Sequence, residues 1–129
     1  MADITAIGEV LIDLTQFGVN EAQVPLFAAN PGGAPANVAV AASRLGVPTA
    51  FIGKVGEDSF GAYLRQVLTD NGVDVSRMCT SSNPTTMAIV AVDSAGERSF
   101  QFVRGADCAL MHEEEDETLI DDRKILHFR

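Results

Sequence analysis

The run Asn30-Pro31-Gly32-Gly33-Ala34-Pro35-Ala36-Asn37 constrains this chain more than any other stretch. Two adjacent glycines let the backbone pass close to another group and adopt φ values that a Cβ disfavours. Pro35 suits the first turn of a helix, whose missing N–H costs nothing there. Val38, Val40, Ala41 and Leu45, with small residues between them, extend a helix over 36–45 that can pack tightly on a sheet, and Gly46 with Pro48 stops it. Asn37 falls in the first turn, close to the glycine corner. The run reads as the floor of a small-ligand pocket.

The elements around it alternate. Ile4 to Leu14 is rich in Ile, Val and Leu and reads as one buried strand with Asp13 near its end. Thr15 to Pro31 is irregular, as expected for short edge strands leaving the main sheet. Thr49 to Val55 reads as a second buried strand. Asp58 or Ser59 then caps a helix carrying Phe60, Leu64, Val67 and Leu68, which Asn71-Gly72 ends. Strand, helix, strand, helix implies a parallel sheet with packed helices. Thr86–Asp93 and Glu97–Arg104 flank Ser94-Ala95-Gly96 as a hairpin, with Phe100, Phe102 and Arg104 on one face. The acidic stretch at 112–120 suits a short helix, and Lys124–Phe128 a buried strand.

Composition excludes several classes. The 129 residues are 47% hydrophobic, enough for a core, and the net charge of -9 argues against a nucleic-acid partner. No apolar run reaches membrane length, and Met1-Ala2-Asp3 lacks the basic start of a secretory signal, so a cytoplasmic, non-membrane protein is expected. Cys79 and Cys108 are isolated and read as reduced packing residues. His112 and His127 show no metal or nucleophile partner and read as structural. The GxGxxG and GxxxxGK[ST] spacings of nucleotide loops are absent.

Gly32-Gly33, Asn37, Ala39, Gly46, Gly53 and Gly56 together resemble the first signature of the ribokinase-like (PfkB) carbohydrate kinases. The Ala34-Pro35-Ala36 filling is most similar to the fructokinase branch. Gly8-Glu9-Val10-Leu11-Ile12-Asp13, Ile52–Asp58 and Gly96–Gly105 continue the resemblance, which spans the chain but only the first part of the family's usual length. It implies the N-terminal part of a three-layer αβα, Rossmann-like α/β domain over 1–129, with the strands of a small β-lid within 15–31 and 86–104.

It further implies an ATP-dependent sugar kinase, most similar to fructokinases, with a sugar as small-molecule substrate. Asp13, Gly32, Gly33 and Asn37 would hold the sugar, joined by Arg104 and, on the lid face, Phe102. Read alone, Asp13 is better explained as the cap of a nearby helix or turn than as a hydroxyl binder, and Arg104 pairs with a surface carboxylate as readily as it orients a substrate. ATP and Mg2+ are implied for the complete enzyme. The family's Gly-Ala-Gly-Asp motif, which carries the catalytic base, is not found; Gly105-Ala106-Asp107 lacks its second glycine, and Asp107 is not assigned as base. The chain alone is therefore expected not to turn over. A homodimer through the lid is a further expectation. A noncatalytic sugar-binding module, or a ribose, nucleoside or 2-keto-3-deoxygluconate kinase, remains the alternative.

Overall fold

A computed structural model describes residues 2–110 and 123–128. Its strands are β1 (Ile4–Ile7), β2 (Leu11–Val19), β3 (Pro25–Gly32), β4 (Thr49–Ile52), β5 (Lys54–Gly56), β6 (Cys79–Ser81), β7 (Met87–Val92), β8 (Arg98–Val103) and β9 (Ile125–Phe128). The helices are α1 (Ala34–Arg44) and α2 (Ser59–Asp70), with a 3-10 turn at Ala106–Ala109. β4, β1 and β9 form a parallel sheet, with Ile4 opposite Thr49 and Ile125. β3-β2-β7-β8 is a mixed sheet in which β2 runs antiparallel to β3 and parallel to β7. β5 and β6 pair in parallel.

One expected strand is two. The chain leaves β1 at Gly8, with φ 145°, and re-enters a different sheet at Leu11. Such a φ lies outside the β region open to residues with a Cβ, so hydrophobicity continues through Ile4–Leu14 while the backbone does not. Asp13 is consequently the third residue of β2, inside the mixed sheet, and not the end of a strand of the parallel sheet. The second expected strand also divides, at Gly53, where an added Cβ would run into the Phe51 ring and whose carbonyl accepts from the Cys79 amide at 2.9 Å. The irregular region after Thr15 holds two long strands, and β2 is central between β3 and β7. The helix expected at 112–120 lies outside the described residues.

The hairpin takes the expected form, with Asp93 Oδ1 accepting the amides of Ala95 and Glu97 at 2.9 Å. α1 begins on Gly33 with Pro35 in its first turn, and its small residues Ala36 and Ala39 bury against the sheet. Phe51, Ile12, Ile52, Leu64, Val10 and Val55 fill the core between helices and strands. Burying each of the larger of these stabilises the fold by about 1.5 to 3 kcal/mol.

Asp58 ties α2 to the rest of the fold. Its carboxylate accepts the Gly61 amide at 2.8 Å as an N-cap, and also the Thr85 hydroxyl at 2.6 Å and amide at 2.9 Å. Burial pushes this carboxyl up, but the bonds from Thr85 and Gly61 outweigh it and hold the group below its ordinary range. The contribution of a depressed carboxyl is complete above its unfolded-state value and disappears as pH falls through the folded one. Asp58→Ala is therefore expected to cost about 1 to 2 kcal/mol near neutral pH. In chemical denaturation the gap from wild type should close in strongly acidic buffer; a gap independent of pH would exclude the ionised clamp.

Candidate functional site

The site begins with strand register. Asp13 on β2 stands opposite Asn30 on β3 and Ala88 on β7, and Ala88 stands opposite Phe102 on β8. Paired residues of a sheet project to the same side, so Asn30, Asp13, Ala88 and Phe102 form one row across four strands. Phe102 is 55% exposed on that row, beside the small, buried Ala88.

Asp13 is half-buried, and among the described residues no group donates a hydrogen bond to its carboxylate. Burial, with the Glu9 charge added, pushes its pKa up from the usual carboxylate value. A partly desolvated acceptor without donors is costly, and ligand hydroxyls relieve that cost. The carboxylate fills the space that a Cβ at position 32 would need, which accounts for Gly32. Gly33 has φ 103°, and a Cβ there would meet the Glu9 carbonyl oxygen at 2.6 Å. The helix start is thus seated directly on the link between β1 and β2.

Asn37 is exposed on the first turn of α1, where its backbone N–H donates to the Gly33 carbonyl at 2.9 Å. Gly32 and Asn37 border a cavity of about 480 Å³ running between α1 and α2, with Val10, Val40 and Leu64 in its walls. Asp13 touches Gly32 but does not line that cavity. Gly32 is therefore the element shared by the carboxylate and the amide.

Arg104 follows β8 directly. Its Nη1 donates to Asp107 Oδ2 at 2.6 Å and to Glu9 Oε2 at 3.3 Å, and its guanidinium lies 5.1 Å from the centroid of the Phe102 ring. The structure thus brings Arg104 and Phe102 together and gives Arg104 the carboxylate partners that its residue type alone allowed. Gly8, Glu9, Arg104, Asp107 and Phe128 line a second cavity of about 360 Å³ at the carboxyl ends of β1 and β9.

Asp107, Thr86 and Glu9 had no site role in the sequence. The Asp107 side chain is only 5% exposed, and the Thr86 hydroxyl donates to Oδ1 while accepting the amides of Gly105 at 3.0 Å and Asp107 at 3.3 Å. Burial raises the Asp107 carboxyl, yet bonds from Thr86, Arg104 and Gly105 together hold it below the ordinary range. The available signal was the pair Thr85-Thr86 immediately before the apolar run Met87–Val92. Nothing in the spacing joins those hydroxyls to partners 27 and 21 residues away.

Cys79 is half-buried, and its thiol donates to the Arg77 carbonyl at 3.8 Å. His127 is held on β9 with Nε2 buried and without a hydrogen-bond partner among the described residues. Among the described residues no group of three His, Cys, Asp or Glu side chains gathers to hold a metal ion. No described helix is long and apolar enough to cross a membrane.

Comparison with known proteins agrees with this architecture. Fructokinase-1 of Zea mays is 44% identical over 97% of this chain and 40% of its own length. A fructokinase crystal structure from Xylella fastidiosa superposes with a TM-score of 0.91 at 37% identity, covering 99% of this chain and 41% of that one. The same organism's fructokinase with bound ATP gives 0.91 at 35% identity over 99% of this chain and 42% of that one. The chain therefore spans about two fifths of the length of the relatives it matches. The profile of the pfkB family of carbohydrate kinases matches residues 1–129. Glycine corner, helix start and mixed sheet are thus those of a ribokinase-like α/β fold, and the chain belongs to the pfkB carbohydrate kinase family.

Proposed function

We propose that this chain supplies the sugar-holding part of an ATP-dependent fructokinase, in which the γ-phosphoryl group of ATP, accompanied by Mg2+, passes to a fructose hydroxyl. The observation that carries the reading is Asp13, a carboxylate without a donor among the described residues, set against Gly32 and in register with Asn30 and, through Ala88, Phe102. Asp13 takes sugar hydroxyls, Gly32 leaves room for its carboxylate and Gly33 seats α1 on the β1–β2 link, while Asn37 borders the cavity between α1 and α2, which Asp13 does not line. Phe102 on β8 and Arg104 just after it contribute from the mixed sheet, which acts as a lid that keeps water from the transferring phosphoryl group. The base and the nucleotide pocket come from outside the residues described. The relatives' names, and the bound ATP in one neighbour, support the assignment. A homodimer through the mixed sheet, where Phe17 and Phe100 are each 66% exposed, belongs to the same reading.

The test is a coupled ADP-release assay on the enzyme from its complete coding sequence, with fructose, ribose, a nucleoside and 2-keto-3-deoxygluconate. Fructose is expected to give the highest kcat/KM. Fructose performing no better than ribose would overturn the substrate assignment.

A further inference from the structure

We propose that Asp107 sets the charge class of the substrate: by engaging Arg104 in an internal ion pair, it closes that guanidinium to sugars bearing a carboxylate and reserves the cleft for neutral ones. The inference rests on the sugar-kinase reading above and concerns a residue to which that reading gives no part.

A lone arginine beside a sugar cleft is a natural carboxylate receptor, since its planar donors match the two oxygens. Arg104 is not in that state. Its Nη1 already serves Asp107 at 2.6 Å and Glu9 at 3.3 Å. One cation therefore faces two carboxylates, and Asp13 adds a third negative group on the central strand, close enough to Glu9 for that charge to raise its pKa. An incoming carboxylate meets net negative charge and competes with Asp107 and Glu9 for the guanidinium's charge.

Displacement is resisted from behind. The Asp107 side chain is 5% exposed and held by the Thr86 hydroxyl, which is itself buried and bonded to the Gly105 amide. Stripping a buried carboxylate of its cation leaves an uncompensated charge, a heavier loss than an exposed pair would suffer. A neutral polyol leaves the pair intact, because its hydroxyls can donate to the carboxylates and meet the half-exposed guanidinium without displacing either partner. Glu9 is more exposed and more distant than Asp107, so Asp107 is the dominant lock.

Two measurements test this on the enzyme from its complete coding sequence, as wild type, Asp107→Ala and the shape-conserving Asp107→Asn. The first is the ratio of kcat/KM for fructose to that for 2-keto-3-deoxygluconate, expected to fall about tenfold or more in the variants. The second needs no turnover: the Arg104 Nε–H resonance, assigned with Arg104→Lys, is followed while gluconate is added. Wild type should stay silent and the variants should shift saturably. Where Asp107→Ala does not fold, Asp107→Asn gives the same two readings. An unchanged kcat/KM ratio in a folded variant, a wild-type Arg104 that titrates with gluconate, or a folded variant that stays silent, overturns the proposal. Should wild type phosphorylate no sugar at all, the kinase reading fails, and the gluconate titration still decides the role of Asp107.

Discussion

Asp13→Ala is expected to weaken fructose binding by about 1.5 to 3 kcal/mol, roughly ten- to hundredfold in Kd, because hydrogen bonds to a charged acceptor are lost. The same position should show the opposite sign in stability. The Asp13 carboxyl is raised by burial and then by Glu9, so its folded state favours the protonated form. The associated stability is fully present below the unfolded-state value and lost as pH rises through the folded one. Near neutral pH the ionised group thus opposes folding, and Asp13→Asn should melt higher than wild type, with the difference vanishing in acid. Calorimetry with fructose and thermal melts across pH check both halves. Equal sugar affinity in wild type and Asp13→Ala would remove Asp13 from the site; a lower neutral melting point for Asp13→Asn would show that the carboxylate has a donor after all.

The second large effect is expected at Gly33. Its φ of 103° strains any residue with a Cβ, and that atom would stand 2.6 Å from the Glu9 carbonyl oxygen and 3.0 Å from the Val10 Cα. Neither neighbour is a flexible side chain, so relief requires α1 to move off the β1–β2 link. Backbone strain and overpacking each cost about 1 to 3 kcal/mol, and Gly33→Ala should destabilise the fold by roughly 2 to 5 kcal/mol. Urea denaturation measures this directly. Gly46→Ala is the control: φ is also positive, at 88°, but no atom lies within 4 Å of the added methyl, so only the strain remains. Equal losses at both positions would show that the contact with Glu9 contributes nothing.

Local rules carried much of the fold. Pro35 and the apolar spacing placed α1 within two residues of its observed bounds, and Asp58 marked the start of α2. Ser94-Ala95-Gly96 announced the β7–β8 turn. Hydrophobicity failed at Gly8 and Gly53, where apolar character persists while the chain changes sheets, because periodicity registers burial and not which sheet does the burying. For the site, the glycine corner, Asn37 and Asp13 were legible as residue types with a characteristic order. Their mutual placement was not: the join through Gly32, the row from Asn30 to Phe102, and the capture of Arg104 by Asp107 depend on pairings between distant segments. Thr86 shows the limit most clearly, since a hydroxyl carries no sequence mark of the carboxylate it will meet.

Thr85 and Thr86 are consecutive, yet one grips Asp58 at the mouth of α2 and the other grips Asp107 beyond β8. Two opposed latches separated by a single peptide unit make the root of the hairpin a common anchorage for the helical layer and the mixed sheet. Slack introduced at either aspartate passes straight to its neighbour, so the rigidity of the mixed sheet and the docking of α2 are inherited together.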